Sequence, residues 1–250
     1  MHLESIAGDA KEFMQLLKRT TKEKPVIVLK SGRTPEGAKA ASSHTGAIAK
    51  SSDAVVDAAI KQAGAIRVQA LDDFFDFAKI FEYLPPLKKN RIAIATGSGG
   101  EGVIATDLCL LNGFTIAQLS SETRDKLRSI FPPWDIPVNP LDAGVCSQFN
   151  WGTDANAVFL DALADDPNVD CAAFATHTYA YTRADPHKFV KPYCDMVKNG
   201  KPMVTWVTDP RVGGKLVDQL ESNRIPVYTS GERAIRALSA LYHYHATKNI

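Results

Sequence analysis

The 250 residues carry 29 Lys and Arg against 28 Asp and Glu, a formal net charge of +1, with 45% hydrophobic and 23% charged residues. That balance excludes a strongly single-signed surface of the kind that takes nucleic acid or an anionic membrane, and no apolar run approaches the roughly 18 residues of a membrane span. The apolar content suffices for one large or two ordinary soluble domains. Cys109, Cys146, Cys171 and Cys194 lie far apart with no CxxC pair, the pattern of reduced thiols in a cytoplasmic protein rather than a disulfide frame or zinc site. The start, Met1-His2-Leu3-Glu4-Ser5, lacks the basic-then-apolar layout of a secretion signal.

In chain order, residues 1–5 end a strand, 9–19 form a helix and 25–30 form a strand. The next stretch, Lys30-Ser31-Gly32-Arg33-Thr34-Pro35-Glu36-Gly37 and then Ser43-His44-Thr45-Gly46-Ala47-Ile48-Ala49, is rich in small residues and reads as a loop. One histidine sits in it between two small polar residues. Imidazole is a good nucleophile near neutral pH, and a loop gives it room to react. Lys30, Arg33 and Lys39 add a small basic set, suited to phosphate or simply to a solvated surface. A helix at 52–63 capped by Gly64, a strand at 65–68 and a helix at 71–83 follow. Leu84-Pro85-Pro86-Leu87-Lys88-Lys89-Asn90 is a linker, so domains are expected at 1–86 and 87–250. The first has only about three strands where a doubly wound sheet has about five, which predicts truncation at its N-terminus or a split from a longer chain.

The second half alternates strands at 92–96, 114–119, 171–176, 203–207 and 226–228 with helices at 100–112, 121–130, 153–164, 186–199, 213–223 and 231–246. Such alternation gives parallel sheets covered by helices on both faces, an α/β architecture. Gly97-Ser98-Gly99-Gly100-Glu101-Gly102 follows a strand and opens a helix, as a dinucleotide fingerprint does. The acid that would bind the ribose is missing, because the next strand ends around Gln118 and Ser120. The turn then offers free N–H groups to a carboxylate or phosphate. Residues 131–152 read as a long Pro-rich loop containing Pro137-Val138-Asn139-Pro140-Leu141-Asp142-Ala143-Gly144. Cys146 in it is expected to be a buried, inert thiol. His177 and Thr178 follow a strand at the edge where α/β ligands bind. His243 and His245, two apart on a helix, point to different sides, and no metal site is expected there.

Ser43-His44-Thr45-Gly46-Ala47-Ile48 resembles the phosphohistidine motif of the ADP-forming acyl-CoA synthetases, the family that includes succinyl-CoA synthetase. The likeness runs through nearly the whole chain. Gly97 to Gly100 is similar to the turn the family writes T-N-x-G-G, with Gly97 or Ser98 in place of its Asn, and Asn139-Pro140-Leu141-Asp142 is similar to its N-P-[VL]-D segment. The resemblance implies two flavodoxin-like, succinyl-CoA synthetase-type three-layer domains. It implies a ligase (acetate-CoA ligase, ADP-forming) that interconverts acyl-CoA, ADP and phosphate with acid, CoA and ATP. His44 would carry the phosphoryl group and Glu4 would orient its ring. Gly46, Asn139, Asp142 and Gly144 would hold phosphate, and Ser98, Gly99, Gly100, His177 and Thr178 would line an acyl or anion pocket.

In that family a helix begins just after the N-P-[VL]-D segment, whereas here it is expected only near Asp154, beyond an insertion at 145–151. The resemblance further implies CoA, ATP or ADP, Mg2+ and phosphate as cofactors and co-substrates, held mainly by a CoA-binding Rossmann domain and an ATP-grasp domain or subunit. The acyl partner is a small carboxylic acid or its CoA ester. Homo- and hetero-oligomers both fit, and the chain alone is expected not to turn over. Two alternatives stay open: a non-catalytic CoA-ligase-like regulatory module of a protein acetyltransferase fusion, and an NAD-binding Rossmann protein.

Overall fold

The computed structural model describes residues 1–6, 8–45, 52–135, 137–150, 154–176, 186–207 and 210–247. The chain divides into two compact units, Met1–Ala78 and Lys79–Ile250.

The first unit is built on a three-stranded parallel sheet of order β1-β2-β3, with β1 at His2–Leu3, β2 at Ile27–Lys30 and β3 at Ile66–Val68. Helix α1 (Ala10–Glu23) begins where Asp9 Oδ1 accepts from Lys11 N at 2.7 Å and Glu12 N at 3.3 Å, which satisfies two otherwise unpaired donors. Helix α2 is Pro35–Thr45 and α3 is Asp53–Gln62. The chain leaves α3 through Gly64, at φ +79, while Ala65 N donates back to Ile60 O at 3.1 Å. A left-handed residue is needed to close that turn, and glycine takes it without strain. Leu17, Val28, Ile60, Ala63 and Ala65 form the core. Helix α4 is Leu71–Tyr83.

Within the loop read at 30–49, α2 corrects residues 35–45, and 46–49 lie outside the described residues. Proline at its first position, Glu36 in its first turn and the alanines 38, 40 and 41 are all helix-compatible. His44 therefore stands in the last turn of a helix.

In the second unit the strands are β4 (Arg91–Thr96), β5 (Thr115–Ile116), β6 (Leu141–Asp142), β7 (Cys171–Ala175), β8 (Met203–Trp206) and β9 (Val227–Tyr228). All pair in parallel, in the order β5-β4-β7-β8-β9, with β6 joining β4 beyond β5. Leaving out β6, this is the flavodoxin order 2-1-3-4-5, whose switch point lies between β4 and β7. The helices are α5 (Gly99–Leu111), α6 (Ser121–Leu127), α7 (Ala143–Phe149), α8 (Ala155–Ala164), α9 (Pro186–Lys198), α10 (Pro210–Ser222) and α11 (Gly231–Thr247).

Strand residues alternate between faces. Ala93, Ala95, Ala172 and Phe174 pack with Leu127, Phe159, Leu160, Tyr193 and Leu216 from α6, α8, α9 and α10. The intervening Ile92, Ile94 and Ala173 are equally buried, and α5 and α11 contact the sheet and each other. Burying each large side chain supplies about 1.5–3 kcal/mol. Arg91 and Asp170 lock the start of β4 to the start of β7 through two 2.8 Å hydrogen bonds.

Candidate functional site

Parallel strands end on one side of their sheet, and in the first unit Glu4 just after β1, Lys30 at the end of β2 and Gln69 just after β3 lie there. Lys30 is only 7% exposed, and its ammonium donates to the Ser31 carbonyl. Burial lowers its pKa, Asp53 and Glu4 raise it, and Arg67 lowers it further. Arg67, with a 2% exposed side chain, reaches Asp53 Oδ1 at 2.6 Å and Asp57 Oδ1 at 3.3 Å. Asp53 Oδ2 also lies 3.7 Å from Arg33 Nε, and Arg33 Nη2 donates to Gln69 Oε1 at 3.0 Å. Lys30 and Arg33 thus belong to one charged cluster at the sheet edge, while Lys39 stands exposed on α2. The backbone of His44 is described and its ring is not. Gly46, His177 and Thr178 lie outside the described residues.

In the second unit the turn after β4 meets the segment around β6. Gly144 approaches so closely that a Cβ there would stand 2.2 Å from Gly97 O. A Cβ on Gly99 would lie 3.5 Å from Asp142 Oδ2, and one on Gly100 would meet nothing within 4 Å. Ser98 caps α5, its Oγ accepting from Glu101 N at 3.4 Å. Among the described residues, no acceptor takes the N–H groups of Ser98, Gly99 and Gly100. Three donors on exposed residues are thus left at the positive end of a helix dipole, at the carboxyl edge of the sheet. The arrangement accepts a carboxylate or a phosphate.

The Asn139–Asp142 segment differs from expectation. Asn139 Oδ1 accepts from Ile94 N at 2.9 Å, and its Nδ2 donates to Ile92 O at 2.8 Å and Ala117 O at 3.0 Å. Its amide fills the fork where β5 and β6 succeed each other along β4. Asp142 Oδ1 accepts from Gly144 N at 2.8 Å and Val145 N at 3.1 Å, so those two N–H groups are taken by a carboxylate rather than offered to phosphate. Helix α7 starts directly after Asp142, which corrects the reading of 145–151 as an insertion separating motif from helix. Asp154 instead caps the next helix, accepting from Ala157 N at 3.3 Å. Cys146, on α7, is 1% exposed, and burial, with Asp142 and Asp135 adding to it, pushes its pKa to about 12. It is an inert thiol.

Glu101 is the residue sequence reasoning passed over. Its Oε1 accepts from Trp206 Nε1 at 3.0 Å and its Oε2 from Gly97 N at 3.3 Å. The S-x-x-E spacing from Ser98 was the available signal.

Two expected results follow from this geometry. Asn139→Ala takes the partner from Ile94 N in β4 and from Ala117 O just beyond β5, while Ile92 O keeps Ala117 N at 2.9 Å. At about 1–3 kcal/mol for a group left unpaired, with partial access to water, we expect a loss of about 3 kcal/mol, read as a fall in Tm of roughly 6–12 °C. A fall under 2 °C would show the fork to be hydrated instead. Gly144→Ala must push two backbone segments apart, and overpacking of this kind costs about 1–3 kcal/mol. Chemical denaturation should show it, together with disturbed amide resonances at Gly97 and Ser98.

Residues 1–81 match the family model of the succinyl-CoA ligase like flavodoxin domain, and residues 92–247 match that of the Ligase-CoA domain. The chain is 35% identical to a 4-hydroxybutyrate–CoA ligase (ADP-forming) of Nitrosopumilus maritimus, over 98% of this chain and 34% of that protein. It is 33% identical to the alpha subunit of acetate–CoA ligase (ADP-forming) I of Pyrococcus furiosus, over 96% of this chain and 51% of that one. Among solved structures, the dinucleotide-forming acetyl-coenzyme A synthetase 1 of Ca. Korarchaeum cryptofilum, in complex with phosphate and ADP, superposes with a TM-score of 0.78 at 30% identity. That match covers 99% of this chain and 53% of that one. The chain thus spans between a third and about half the length of the proteins it matches.

Proposed function

Since this chain belongs to the family of ADP-forming CoA ligases built from succinyl-CoA ligase-like flavodoxin and Ligase-CoA domains, we propose that it is the phosphohistidine-bearing part of an acid–thiol ligase. The observation that carries the reading is the Ser43-His44-Thr45-Gly46 motif, within a chain that matches the two domain types in order. In the direction of ATP synthesis, phosphate displaces CoA from an acyl-CoA. The imidazole of His44 then attacks the phosphorus of the acyl phosphate, the P–O bond to the acyl group breaks, and the free carboxylate leaves. The phosphoryl group on His44 finally passes to ADP. Glu4 holds the ring, and the Ser98 to Gly100 turn receives the carboxylate or phosphate.

Among the described residues no group of three or more His, Cys, Asp and Glu side chains fits a metal ion. From the resemblance to the ADP-forming synthetases we assign magnesium, with the nucleotide, to an ATP-grasp domain or subunit, and CoA to a Rossmann domain. Under this reading the chain alone does not turn over, and its working partners are those two modules, whether covalently joined or as subunits. No helix among the described residues is long and apolar enough to cross a membrane; the cytoplasmic setting we propose rests on the ligase reading alone.

The test is reconstitution. Given the nucleotide- and CoA-binding modules, acetyl-CoA, ADP, phosphate and magnesium, the chain should support ATP formation, and leaving the chain out should stop it. Absence of ATP with every component present, across several short acyl-CoA esters, would remove the ligase reading. The regulatory-module and dinucleotide alternatives gain no support from the relatives, all of which named above are ligases or synthetases.

A further inference from the structure

We propose that Glu101 is a positioning residue that holds the Gly97 to Gly100 turn in its anion-accepting shape by tying it to Trp206. The proposal rests on the reading of that turn as a carboxylate or phosphate site.

The local sequence, Ser98-Gly99-Gly100-Glu101, has the spacing of a capping box, in which the glutamate folds back onto the N–H of the capping residue itself. Glu101 does something else. It passes over Ser98 and takes the N–H of Gly97, one residue further out, at 3.3 Å. Its second oxygen accepts from the indole of Trp206 at 3.0 Å. Trp206 is the last residue of β8, and Gly97 follows β4, so the carboxylate bridges two strand ends that are separated by β7.

The post at the far end is rigid. Trp206 is 2% exposed, and Gly231, the first residue of α11, lies so near that a Cβ there would stand 3.4 Å from the indole Cε2. On its other side the turn is fixed by Gly144 against the Gly97 carbonyl. Gly97 is therefore held at its N–H by Glu101 and at its C=O by close packing. Among the described residues no acceptor takes the donors between these two fixings, on Ser98, Gly99 and Gly100, and the glutamate that would normally cover the first of them is engaged elsewhere. An ordinary capping box would occupy one of those donors; this arrangement leaves all three for a ligand.

A plain charge effect and a positioning effect have opposite signs. A carboxylate beside an anion site repels the anion, so if charge were all that mattered, Glu101→Gln would tighten anion binding. If the carboxylate positions the turn, the same change weakens binding, since a glutamine oxygen can serve Gly97 or Trp206 as acceptor but replaces neither charge-assisted bond fully.

The experiment follows the backbone amides of Gly99 and Gly100, and the indole N–H of Trp206 assigned through Trp206→Phe, by 15N-edited NMR of the full chain during titration with acetate and with inorganic phosphate. In the unsubstituted chain these resonances should move together with a single Kd for each anion. Glu101→Ala should raise that Kd about tenfold, the effect of losing charge-assisted bonds, with circular dichroism unchanged. Glu101→Gln should raise it less. Tighter binding in Glu101→Gln, or a Kd within twofold of the parent in Glu101→Ala, overturns the positioning role while leaving the anion turn intact. Should Glu101→Ala fail to fold, the sign of the change in Glu101→Gln decides. No saturable shift at Gly99 and Gly100 in the parent chain overturns the anion turn itself, and this proposal with it.

Discussion

His44→Ala is expected to leave no acid-labile phosphoryl label on this chain when it is incubated with its nucleotide-binding partner and γ-labelled ATP, where the parent chain labels fully. Of the six histidines, only His44 stands in the Ser-His-Thr-Gly context. His2 pairs its Nε2 with Ser31 Oγ at 2.9 Å, His243 lies against the backbone at Gly113, and His245 packs near Phe81. The substitution is conformationally mild. His44 sits in the last turn of α2, and alanine is a better helix former than histidine, so loss of label would report chemistry and not unfolding of the helix. Label that survives in the variant, or that maps to another histidine, would remove His44 from the mechanism.

Glu4→Gln should slow phosphorylation of His44 by roughly 10²–10⁴, the range for a positioned acid–base group. The change keeps the side chain's shape. It removes the charge that favours a ring with its proton directed at the carboxylate and its other nitrogen free to attack. Glu4 follows β1 at the sheet edge where Lys30 ends β2, and its charge is one of the influences that raise the Lys30 pKa against burial. In Glu4→Gln the Lys30 ammonium loses that support, so its pKa should move further down, which a pH titration of the Lys30 side-chain resonance would register. An unchanged phosphorylation rate would reduce Glu4 to an ordinary acid beyond a strand.

Those two residues came from a motif and its resemblance, and the frame around them was readable for physical reasons. Buried parallel strands are short apolar runs, and Ile92-Ala93-Ile94-Ala95-Thr96 announced β4 with all five residues fully buried. Leu71 to Tyr83 gave α4 with both bounds as read. What failed was local. Helix α2 was hidden because Gly37, Ser42 and Ser43 suggest loop, although Pro35 and Glu36 were proper opening signals. Helix α7 is only seven residues long, and the prolines before it outweighed its own signals. The work of Asn139 could not be read at all, because its three partners lie 22 to 47 positions away and meet only when β4 and β5 are paired. Glu101 was legible as a capping glutamate, but its bond to Trp206, 105 positions on, was not.

The fork at Asn139 has a bearing on how the chain behaves before it is fully folded. A sheet flank with a long row of unpaired N–H and C=O groups is a template on which a second molecule can add a strand, and proteins guard against it. Here the β4 flank is covered by two successive pieces of two residues each, β5 and β6, and the opposite flank by β9, also two residues long. No described outer strand of this sheet offers enough consecutive backbone for an intruder to hold. The largely apolar, buried strands that would aggregate most readily, β4, β7 and β8, lie inside them. Weakening the fork would therefore be felt as a tendency of refolding chains to precipitate.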